Sequence, residues 1–143
     1  HHRSVAIVAF TTDGDIFGFH YYVRVTKQNE MFRDRDMFAF SFESHGRCET
    51  PKRFNVKLEK RNAVGVRFNK NTGYLGFCHF EAEIYDGWVM NHCEVILFGN
   101  EQSYPRCFSR VTYCLEDIEP TTLVGDKDRW GCYTCARLMA LHF

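Results

Sequence analysis

The chain has 143 residues, of which 45% are hydrophobic, 25% charged and 16% aromatic, and its 18 basic residues balance 18 acidic ones. That length is one domain with a self-sufficient core, and a zero net charge argues against a large non-specific nucleic-acid surface, which needs a basic excess. No apolar run approaches the roughly 20 residues of a membrane span, and proline and glycine are too scarce for a disordered or fibrous chain.

His1-His2 reads as the remnant of an affinity tag, with the natural N-terminal lead-in removed. Val5 to Phe10 is short, apolar and β-branched, which predicts a strand near residues 4–10. Thr12-Asp13-Gly14-Asp15 follows, then an aromatic and β-branched run that predicts a second strand near 16–25. Asp-Gly between two such runs is a hairpin signal, because glycine supplies the positive φ of a tight turn. Residues 27–36 are polar with one apolar pair and read as a loop or short helix. Met37 to Phe42 reads as a buried strand, Ser44 to Arg47 as a turn, and Pro51 keeps the next connection irregular.

Phe54, Val56 and Leu58 alternate with Asn55, Lys57 and Glu59, the period-two pattern of a strand wet on one face. Ala63 to Phe68 is a further strand, and 69–73 a turn. Cys78, Phe80, Ala82 and Ile84 then alternate with His79, Glu81 and Glu83, closed by Asp86-Gly87. Glu94 to Phe98 is a short apolar strand. Ser109 to Leu115 fits a strand or a short helix, residues 116–120 an acidic surface loop, and Cys132 to Phe143 a strand or a helix. No helical period persists beyond about ten residues. The expected fold is mainly β: an antiparallel β-sandwich flanked by a few short helices.

Seven cysteines form an odd set, unlike the even framework of a secreted disulfide scaffold, and most read as reduced thiols in a cytosolic or nuclear protein. Cys132 and Cys135 form a C-x-x-C, the candidate redox pair. No βαβ pattern surrounds it, and in a strand an offset of three points the two thiols to opposite faces. Zinc would need a second close pair, from Cys107 and Cys114 or from His92 and Cys93, and those spacings are poor. His79, Glu81 and Glu83 share a strand face that could bind a divalent metal, but the wet face of an amphipathic strand is the favoured reading. Arg47 to Arg61 is the densest basic stretch and reads as a solvated face rather than a nucleic-acid patch. No nucleophile elbow, P-loop or dinucleotide fingerprint is present, so no catalytic residue and no cofactor is assigned. Core packing is the better use for the aromatic residues than base stacking.

Val5-Ala6-Ile7-Val8-Ala9-Phe10 followed by Asp13-Gly14-Asp15-Ile16-Phe17-Gly18 resembles the β-hairpin of TLDc domains, with Asp13, Gly14, Phe17 and Gly18 as its motif positions. Phe38 to Phe42, with Phe40 and Phe42, is similar to that family's next strand, and Thr121 to Phe143, with Leu138, to its closing segment. Phe19 stands where the family has a second glycine, and Met139 and Leu141 where it usually has Glu and Trp, so the chain resembles a divergent member. The resemblance covers residues 1–143 as a single domain. It implies a β-sandwich with short helices and a non-enzymatic protein-interaction role. That role is linked to oxidative-stress protection and to binding subunits of the vacuolar proton pump (V-ATPase) in the cytoplasm or nucleus. Two other functions stay open: a thiol-based redox enzyme or sensor using Cys132 and Cys135, and a stress-responsive DNA-binding regulator using Arg47 to Arg61.

Overall fold

The structure, a computed structural model, describes residues 4–27, 30–69, 74–85, 88–98, 105–107, 109–125 and 131–143. The described residues form ten strands in two antiparallel sheets. In the first sheet the order is β10 (Cys135–His142), β1 (Val5–Thr11), β2 (Ile16–Tyr21), β4 (Phe38–Glu43) and β5 (Lys52–Asn55). The second has three long strands, β6 (Val64–Asn69), β7 (Tyr74–Tyr85) and β8 (Trp88–Phe98). Short β3 (Met31–Arg33) and β9 (Arg106–Cys107) flank them at the two edges.

The β1–β2 connection closes as the Asp-Gly signal predicts. The Gly14 N–H donates to the Thr11 carbonyl at 3.0 Å and the Thr11 N–H to the Asp15 carbonyl at 2.9 Å. Gly14 takes φ +89°, which a side chain would resist. The Asp15 N–H donates to Thr11 Oγ1, locking the turn a second time.

One core is shared by both sheets. Ile7, Phe17, Phe19 and Phe54 from the first meet Val64, Val66, Phe77, Val95 and Leu97 from the second. The period-two alternation works as expected on β1 and β2: Ile7, Ala9, Phe17 and Phe19 enter this core, while Ala6, Val8 and Gly18 take the opposite face. On β4 the alternation is present with the small residues inward. Ala39 sits in the shared core and Ser41 is fully buried, while Phe38 and Phe40 belong to a separate cluster with Ala6 and Val8 on the outer face. The register explains this. Ala39 lies between Phe19 of β2 and Phe54 of β5, and Ser41 opposite Phe17. Three inward phenylalanines already fill that volume, so only small side chains fit between them.

Three expectations are corrected. The flanking helices are not α-helical: among the described residues the only helical elements are two 3₁₀ segments, Leu58–Lys60 and Ser109–Tyr113. The alternation at Phe54, Val56 and Leu58 breaks after Val56. β5 ends at Asn55, Val56 makes an isolated bridge to Leu115, and Leu58 enters the 3₁₀ turn with 71% of its surface exposed. Its turn is closed by the Lys60 N–H donating to the Lys57 carbonyl at 2.9 Å, so local hydrogen bonding overrides the strand period. Residues 27–36 hold β3 rather than a loop or helix alone. The ambiguous C-terminal segment is a strand, β10, paired with β1 through Val8↔Met139. The turn residues 70–73 and 86–87 lie outside the described residues.

Candidate functional site

The segments that carry the motifs come together in the first sheet. β10, β1, β2 and β4 are consecutive neighbours there, so residues far apart in sequence share one outer face. That face carries Ala6, Val8 and Phe40, with Phe10, Ile16, Phe38 and Met139 packed against them. Its rim is apolar too: Phe42 is 49% exposed, Leu141 40% and Phe143 65%. Two guanidiniums lie on its aromatics, Arg53 at 3.6 Å from the Phe38 ring centroid and Arg137 at 5.6 Å from that of Phe10. His20 sits among the rings of Tyr22, Phe38 and Phe143, with centroids 4.9, 4.9 and 5.4 Å away.

The His20 ring has lost water without gaining a partner: Nε2 is buried and has no hydrogen-bond partner among the described residues. Burial first, and the positive charge of Arg53 second, pull its pKa below 6.5, against a smaller opposing pull from Asp34. The folded imidazole therefore stays neutral to a lower pH than a free one. Well above pH 6.5 it is neutral in both states and contributes nothing to the pH dependence. As pH falls below that value the unfolded chain takes up the proton first, and stability drops until the folded value is passed. We expect the urea midpoint to fall between pH 7 and pH 5, and the fall to be smaller in His20→Phe. Equal slopes in the two proteins would show that another group sets the response.

A second constellation holds the hairpin turn. Asp15, only 2% exposed, accepts through Oδ1 from Arg47 Nη2 at 2.6 Å and lies 2.8 Å from His45 Nδ1. Arg47 also donates to the Thr122 carbonyl through Nε at 3.0 Å and to the Leu123 carbonyl through Nη2 at 3.1 Å. One side chain thus joins the β1–β2 turn to the segment 121–125. The turn that presents it, Ser44 to Arg47, has positive φ at His45 and Gly46 and is closed by the Arg47 N–H donating to Ser44. Arg47 is thereby corrected from a residue of a solvated basic face to a half-buried clasp. The sequence signal for Asp15 was its place in the hairpin motif; nothing near Arg47 in sequence marks it.

Other members of the basic stretch are dispersed. Lys52 donates to the Asp117 carbonyl at 3.2 Å, and Lys60 lies over the Tyr113 ring at 3.8 Å. Of the motif residues, Phe17 and Gly18 lie at the centre of the sheet and Leu138 packs against the shared core, while Asp13 is exposed in the turn.

The C-x-x-C straddles the entry to β10. Cys132 is exposed and Cys135 half-buried, and both are unbridged thiols. Tyr133 between them turns inward and meets Phe17 edge-on at 5.3 Å. Neither thiol lies at a helix N-terminus, and burial pushes the Cys135 thiol up rather than down, opposite to the shift of an activated nucleophile. Cys107 and Cys114 are buried. Among the described residues no three His, Cys, Asp or Glu side chains come together as a metal site would require. The side chains of His79, Glu81, Glu83, His92 and Cys93 lie outside the described residues. No described helix is long and apolar enough to cross a membrane.

No family model, curated protein or solved structure matches this chain.

Proposed function

We propose that this chain is a TLDc-like, non-enzymatic protein-interaction domain that docks a protein partner on the outer face of its first sheet. The observation that carries the reading is the exposure of Phe42, Leu141 and Phe143 at the rim of an aromatic cluster on that face. Apolar patches of this kind mark interaction surfaces. Support also comes from the convergence of the TLDc-like segments on four adjacent strands of this same sheet. Among the described residues the charges lying on its aromatics are both guanidiniums, Arg53 and Arg137. The fitting occupant is therefore a protein surface with an apolar strip flanked by carboxylates. By resemblance the partner is a subunit of the vacuolar proton pump and the role is protection against oxidative stress.

The test is binding of purified proton-pump subunits to the wild-type domain and to Phe42→Glu/Leu141→Glu, followed by biolayer interferometry. The expected result is saturable binding by the wild type, weakened at least about tenfold by the two buried-charge substitutions. Equal binding by both proteins would remove the docking face. No binding by either would remove the proton pump as partner. The redox reading draws no support from the raised thiol of Cys135.

A further inference from the structure

Beside the aromatic face, at the β5 edge of the sheet, lies an open groove of about 500 Å³. Its apolar lining includes the buried Met37 and Val56, with Tyr22 beside them. Its charged lining is Arg35, Arg53 and Arg61 against a single carboxylate, Asp36. The three arginines come from three places: the turn before β4, β5 itself and the end of the first 3₁₀ segment. We propose that this groove binds a small ligand carrying two or more phosphate groups.

Three observations support it. First, the charge is unneutralised. Arg35 and Arg61 have no side-chain hydrogen bond or ion pair among the described residues, and Asp36 bridges none of the three arginines. Second, the guanidinium of Arg53 is pre-oriented. Its Cζ lies 3.6 Å from the Phe38 ring centroid and its Nε donates to Asn55 Oδ1 at 2.6 Å, which leaves the terminal nitrogens to a ligand. A guanidinium fork held in place loses little entropy on gripping phosphate oxygens. Third, the lining is built. The Asp34 carboxylate accepts from the backbone N–H groups of Tyr22, Val23 and Asp36, which ties together the two segments that bring Tyr22 and Asp36 to the groove.

The size of the groove favours a compact ligand. It falls within the range of small-molecule sites and is bounded, whereas a nucleic-acid track is a continuous basic strip with several stacking rings. Both a soluble polyphosphate and the phosphorylated headgroup of a lipid carry this chemistry.

The experiment is calorimetric titration with inositol hexakisphosphate and with pyrophosphate. It uses the wild type, Arg35→Gln, Arg61→Gln, and Arg137→Gln at the opposite edge of the sheet as a charge-matched control. Thermal melts establish that the variants are folded. The expected result is saturable binding that weakens about tenfold in each of Arg35→Gln and Arg61→Gln and little in Arg137→Gln. A second arm sediments the domain with vesicles containing phosphatidylinositol bisphosphate. Sedimentation that inositol hexakisphosphate displaces assigns the lipid source; soluble binding without sedimentation assigns the free ligand. No saturable binding in either arm, or equal weakening by all three substitutions, overturns the proposal. So does binding of a single-stranded RNA with no response to the compact polyphosphates.

Discussion

Replacing Asp15 by alanine is expected to cost about 3 kcal/mol of folding stability, a large share of what a domain of this size has in hand. The carboxylate is buried, and one oxygen serves both Arg47 and His45. Removing it leaves the Arg47 guanidinium half-buried with only the carbonyls of Thr122 and Leu123 for partners. A cation in that position has lost much of its water and its counter-charge together. Asp15→Asn keeps the shape and a hydrogen-bond acceptor but not the charge, and is expected to cost less. Arg47→Met should cost a similar amount to Asp15→Ala, because it leaves the buried carboxylate with His45 alone and releases both carbonyls.

The double substitution should then cost clearly less than the sum, with a coupling of about 1 kcal/mol or more. Urea unfolding of the four proteins measures this, and strict additivity would show that the pair does not act as a unit. The same clasp predicts where the damage appears. The Gly125 N–H donates to the Thr121 carbonyl at 2.8 Å within the segment that Arg47 holds. Its amide exchange should accelerate in Asp15→Ala before that of the core strands. Uniform acceleration would mean that the clasp supports the whole fold rather than this segment.

The second large effect is at Gly18. It pairs with Val8 on one side and with Phe40 on the other, at the centre of the first sheet. A methyl group built there would overlap the backbone carbonyl of Ile7 and come within 3.0 Å of Phe40 Cζ. The ring can move, but the carbonyl belongs to the neighbouring strand and can move only if the β1–β2 ladder opens. Gly18→Ala is therefore expected to cost about 3 kcal/mol, the upper end of overpacking penalties. Adding Phe40→Leu should restore little of it, because it clears the ring and not the backbone. Thermal melts of the single and double variants check this, and full rescue by Phe40→Leu would place the constraint on the outer face instead. This gives a physical reason for a glycine directly after Phe17: the phenylalanine fills the shared core and the next position must be nearly flush with the sheet.

The Asp-Gly hairpin was legible because its determinants are local: a positive φ at Gly14 and apolar runs on both sides. The same holds for the strand at Val64 and for the long alternation that became β7, where the period-two pattern extends over many residues. The C-terminal segment was ambiguous because Ala136 to Leu141 suits either a helix or a strand on propensity alone. Pairing with β1 across residues 5–11 decided it, and that is a long-range hydrogen-bonding choice. The 3₁₀ turn at Leu58 shows the reverse case, a correct local alternation cut short by turn hydrogen bonds.

The amino-acid order by itself determined the β class, the first hairpin and the alternation along the strands, because each depends on residues within a few positions of one another. Only the tertiary structure decided which side of each strand became interior. In Phe38-Ala39-Phe40-Ser41-Phe42 the period is plain, but the large rings face outward because Phe17, Phe19 and Phe54 from the adjoining strands already occupy the space between the sheets. Tertiary structure also made the clasp and the groove. Arg47 meets Asp15 and Thr122 across separations of 32 and 75 residues, and Arg35, Arg53 and Arg61 line one opening from three different elements. Volume filling and long-range charge pairing depend on which segments become neighbours, and no local pattern encodes that.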